Sequence, residues 1–63
     1  MLRITEYPHQ GPAKSWEAAN EEDFCLRVLR ANPRADIDPR SNYATVVAWL
    51  RADLRALSIQ RCY

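Results

Sequence analysis

The sequence predicts a small α+β domain: one N-terminal strand followed by two helices, the C-terminal helix (about 39–60) being the longest. Three patterns predict it. Leu2 and Ile4 alternate with Arg3, Thr5 and Tyr7, the period of a half-buried strand, and Pro8 stops the run. Asn20 followed by Glu21, Glu22 and Asp23 is a helix cap with acids in the first turn, ahead of Phe24, Cys25, Val28 and Leu29 on one face. Asp38-Pro39, with Ser41 as a second cap, opens a longer stretch in which Tyr43, Val46, Val47, Leu50, Leu54 and Leu57 share one helical face.

The first strand has no obvious neighbour for its backbone groups. It is expected to pair with its copy in a dimer, to join a partner's sheet, or to find a strand elsewhere in the chain. Residues 8–14 hold two prolines and the only glycine, and read as a loop. Ser15 is a weaker cap with Ala18 and Ala19 behind it. Pro33 ends the first helix near Ala31, and 32–38 is the connector to the second. An alternative is a β-hairpin of 2–7 with 23–30, packed on one helix, because Phe24, Leu26 and Val28 also alternate with Cys25 and Arg27. The acidic cap and the four-residue repeat of Phe24 and Val28 favour helix.

Sixty-three residues make a single small domain, and a chain this short buries only about 60% of its unfolded surface. Association is the expected source of further burial, since two cysteines form at most one bridge and no metal-ligand set is present. The net charge is +1 but unevenly spread. Acids dominate up to Leu26 and arginines from Arg27 onward. Arginine outnumbers lysine eight to one, which suits bidentate pairing where these groups recognise a partner and equally fits a GC-rich genome. Arg3 and Glu6 interrupt any secretory signal, no stretch approaches membrane-spanning length, and the cysteines are unpatterned, so a cytoplasmic protein is expected.

The long helical stretch is apolar on two sides. Beyond the core stripe, Trp49, Ala52, Ala56 and Ile59 form a seam of one large residue and small neighbours. Either the N-terminal half covers that seam or a partner does. No catalytic set accompanies it. His9 lacks a base or ligand partner, and Cys25 and Cys62 lack an activating cluster. The Asp36, Asp38, Asn42 spacing opens like a calcium loop but fails at Arg40 and at Val47, where the closing glutamate belongs. Glu21, Glu22 and Asp23 already serve a helix start, and with Glu17 they form an acidic patch suited to a basic partner.

These features predict a small non-enzymatic protein-binding module with no cofactor, metal or small-molecule substrate: an accessory subunit, or an inhibitor of a larger complex. Its partner-binding residues are expected to be Trp49, Ala52, Ala56, Ile59, Glu17, Glu21 and Glu22, engaging another protein or a copy of the chain. Free-standing chains of this size include phage and plasmid inhibitors such as anti-CRISPR proteins, and the expectation is at that class level. The alternative is a DNA-binding dimer. The order strand–helix–helix resembles that of the ribbon-helix-helix repressors, which implies paired strands in the major groove. Arg3, Thr5 and Tyr7 would then face bases, with Arg51 and Arg55 near phosphates. The proline-bearing linker 8–14 departs from that family's direct strand-to-helix joint, and its turn glycine is missing.

Overall fold

The structure is a computed structural model that describes residues 1–62. It is a three-stranded antiparallel sheet with two helices, in the order β1 (Leu2–Tyr7), β2 (Lys14–Ala18), α1 (Glu21–Ala31), α2 (Tyr43–Asp53) and β3 (Ala56–Arg61). The strand order is β2-β1-β3, with β1 central. The chain is thus small α+β, with the N-terminal strand and the two helices in the expected order and two further strands around them.

Those two strands answer the backbone demand of β1. Its register with β2 runs from Leu2↔Ala18 to Glu6↔Lys14, and with β3 from Leu2↔Arg61 to Tyr7↔Ala56. Side chains directly opposite share a face. Leu2 and Ile4 therefore lie with Trp16, Ala18 and Ile59 on the inner face. Arg3, Thr5 and Tyr7 lie with Ser15, Glu17, Ala56, Ser58 and Gln60 on the other. Both helices lie against the inner face, and the core is Leu2, Ile4, Ala18, Phe24, Val28, Val46 and Leu50. At its centre Phe24 stacks on Trp16, with centroids 5.6 Å apart, and meets the Tyr43 ring edge-on at 5.3 Å.

Three expectations are corrected. The loop after Pro8 is shorter in effect, because Lys14–Ala18 is a strand rather than a helix start. It forms the hairpin with β1 around Gly11, whose φ of 98° is the one positive value among the described residues. The alternative hairpin of 2–7 with 23–30 does not form, since 23–30 lies within α1. Its start is held by two bonds: Asp23 N–H donates to Asn20 Oδ1 at 2.8 Å, and the N–H of Ala19, the residue before the cap, donates to Asp23 Oδ2 at 2.9 Å.

Third, the C-terminal helix is shorter than expected and is not the longest, since α1 and α2 are both 11 residues. It starts at Tyr43, capped by Asn42, whose Oδ1 accepts from Thr45 N–H at 2.9 Å. Asp38 instead closes a turn on Arg40, accepting its N–H at 2.8 Å. The helix stops at Asp53 rather than near 60. Leu54 turns to extended backbone (φ −109°, ψ 161°), and Arg55 N–H then donates to the Tyr7 carbonyl at 2.9 Å. Leu57 and Ile59 satisfy a helical period as well as a strand period, and the open edge of β1 selects the strand.

Candidate functional site

The predicted Trp49 seam is divided among three surfaces by the end of α2. Trp49 is half-buried against the core, and so is Ile59, from the inner face of β3. Ala56 is exposed on the open face of the sheet, opposite Tyr7. Ala52 alone remains on the exposed side of α2.

That exposed side still forms a surface, composed differently. Ala44, Thr45, Ala48, Arg51 and Ala52 are all exposed, with the three alanines at four-residue spacing directly away from buried Val46 and Leu50. Only Arg51 and the terminal Asp53 carry charge on this helix. The exposed side of α1 differs, carrying Glu22, Arg27 and Arg30 beside Leu26 and Ala31. A helix that is apolar around its circumference normally lies inside a protein. Here one side of it faces outward. Ala44 and Ala48, absent from the predicted seam, belong to this surface, and their four-residue spacing with Ala52 was legible within the predicted helix.

The acidic patch is also divided. Glu17 lies on the open sheet face, 3.8 Å from Arg3 opposite it on β1. Glu21 pairs with Arg61 across the start of α1 and the end of β3. Glu22 is exposed, and with Glu21, Asn20 and Arg61 it lines a shallow pocket of about 370 Å³. Asp23, the fourth acid, is held below its ordinary carboxyl value by the Ala19 N–H, aided by Arg27, whose Nε lies 3.0 Å away.

Arg3, Thr5 and Tyr7 do share one face, the open side of the sheet, where Thr5 and Ser15 hydroxyls lie 3.2 Å apart. Arg3 is offset there by Glu17, and both edges of β1 are taken by β2 and β3. The β1–β1 ribbon of a ribbon-helix-helix dimer therefore has no free strand to form it. Arg51 is on α2 and Arg55 is past its end, so the two do not share a helical face.

A wider groove of about 690 Å³ runs along α1 beside β2, lined by Trp16, Glu6, Asp23, Leu26, Arg27 and Arg30, with Leu50 in its floor. Leu26 is 55% exposed on its rim. Both carboxylates in the groove are engaged: Trp16 Nε1 donates to Glu6 Oε2 at 2.7 Å, and Asp23 caps α1. The lining contains no serine, cysteine, histidine or lysine to act as a nucleophile or base. Cys25 and Cys62 are free thiols, and burial, with Glu21 nearby, pushes the Cys25 thiol up, which disfavours the reactive thiolate.

Among the described residues, no cluster of three or more His, Cys, Asp or Glu is placed to hold a metal ion, and no helix is long and apolar enough to cross a membrane. No family model, curated protein or solved structure matches the chain.

Proposed function

We propose that this chain is a small non-enzymatic protein-binding module, an accessory subunit or an inhibitor of a larger complex, that docks through the exposed side of α2. The observation that carries the reading is the outward row Ala44, Ala48 and Ala52, with Thr45 beside it, on a helix whose other side is core. Small residues admit close approach of another backbone, and a helix lying on them loses little side-chain entropy. Arg51 at the margin supplies a charged rim contact of the kind that sets orientation and encounter rate. The module works in the cytosol, where Cys25 and Cys62 stay reduced. The class of phage and plasmid inhibitors, anti-CRISPR proteins among them, fits this size and this lack of a catalytic set.

Ala52→Arg tests the reading. Ala52 is exposed, and arginine is a good helix former, so the fold is expected to lose less than about 0.5 kcal/mol. Partner binding is expected to be lost. A variant that unfolds would show that this side is core, and one that binds normally would move the docking surface elsewhere.

A further inference from the structure

We infer that the free edge of β3 pairs with β3 of a second copy, joining two sheets into one of six strands. This goes beyond the α2 surface and does not depend on it. Backbone groups alternate in direction along the β1–β3 ladder. Cys62 N–H donates to the Met1 carbonyl at 2.8 Å, and the Met1 amine donates to the Cys62 carbonyl at 3.2 Å. That reciprocal exchange marks a hydrogen-bonded pair, and such pairs recur at every second residue of an antiparallel ladder. With the register Arg3↔Gln60 and Thr5↔Ser58, the groups of Ser58 and Gln60 point to β1. Those of Leu57 and Ile59 point away from it, and no strand lies beyond β3 among the described residues.

The two edges of the sheet are not equivalent. At β2, a strand of five residues, the flanking Pro12, the charged Lys14 and the Glu17–Arg3 pair are the features that keep an edge from pairing. Along β3 no proline or charge occurs from Ala56 to Gln60. Leu57 and Ile59, the apolar residues on its inner face, remain only half-buried after packing on the core.

A second copy is the occupant that this edge fits. A two-fold axis at Ser58 sets Leu57 of each copy against Ile59 of the other, in hydrogen-bonded pairs that use the outward groups of both residues. The same register places two apolar cross-strand pairs on the inner face, where each half-buried side chain gains cover. On the open face it sets Ser58 against Ser58 and Ala56 against Gln60, with no like charges. Arg55 falls opposite Arg61 at the ends, where Glu21 offsets the Arg61 charge.

Amide exchange of the full chain, followed by NMR across a concentration series together with sedimentation equilibrium, tests the inference. The mass is expected to rise from 7.3 kDa toward twice that value as concentration increases. Exchange at Leu57 and Ile59 is expected to slow about tenfold when nine-tenths of the chain is dimer. Ile59→Lys, an inward charge on a strand edge whose ammonium reaches water along its stem, is expected to stay folded and monomeric. A chain that remains monomeric throughout would overturn the inference. So would a dimer in which the two amides exchange at monomer rates, or a folded Ile59→Lys that still dimerises. The wild-type exchange rates decide the question even if that variant fails to fold.

Discussion

Trp16 and Phe24 stack with near-parallel, offset rings, their centroids 5.6 Å apart and their planes within 5° of each other, joining edge strand β2 to helix α1. Phe24 is fully buried and also touches Tyr43 at the start of α2, so one ring joins three elements. Truncating such a ring costs about 3–5 kcal/mol, while a chain of this size has about 3–9 kcal/mol in total. Phe24→Ala is therefore expected to lose most of the fold's stability and to melt far below wild type, and Phe24→Leu to melt between the two. Circular dichroism melts of the two variants check this.

The two helix caps are expected to respond in a graded way. Asn42 Oδ1 accepts the Thr45 N–H at 2.9 Å, and no acid in the first turn of α2 supports it. Asn42→Ala is expected to cost about 1 kcal/mol and Asn42→Gly only a few tenths. Denaturant midpoints at unchanged slope provide the measurement. Equal losses would mean that the side chain does not cap the helix.

Proline substitutions in the last strand distinguish strand from helix. Ser58 directs its N–H toward β1 and Ile59 directs its own away, by the alternation fixed at Met1 and Cys62. Ser58→Pro breaks the ladder and is expected to unfold the chain. Ile59→Pro keeps the ladder and is expected to retain the far-ultraviolet spectrum of the fold, with a lower Tm from lost packing. Were α2 to run through these residues, both variants would fail alike.

Asp23 fixes the sign of one acid-range effect. Its folded carboxyl lies below the ordinary value of 3.8, chiefly through the Ala19 N–H and then through Arg27. A depressed carboxyl contributes stability that is fully present above the unfolded value and is lost as pH falls through the folded one. Wild-type stability is therefore expected to fall more steeply than that of Asp23→Asn as pH drops below about 4. Parallel pH profiles would contradict the Asp23 bonding.

The elements differ in how far they were legible in the sequence, for physical reasons. Strand β1 and helix α1 carry their own signals: strict alternation from Leu2 in one, an asparagine cap with acids and apolar Phe24 and Val28 in the other. Strand β2 offers only Trp16 and Ala18 as alternating apolar residues, and Ser15 also reads as a cap. The end of α2 has no local marker at all. Neither glycine nor proline follows Asp53, and Leu50, Leu54 and Leu57 continue the helical period without a break. What stops the helix is the Tyr7 carbonyl on the open edge of β1, a tertiary partner that local spacing does not reveal. The Trp49 seam depended on that missing boundary, so its residues separate once the strand forms. Of the seam, only Ala52 stays on the outward side of α2, because it lies before that boundary.

The docking surface on α2 is tested most directly by capture from source-cell extract. Tagged wild-type chain and Ala52→Arg are used in parallel, with and without nuclease, and retained proteins are identified by mass. One stoichiometric protein, retained after nuclease treatment and lost with Ala52→Arg while the variant melts within a few degrees of wild type, is the expected result. Equal retention by both chains, or retention of nucleic acid alone, would contradict it.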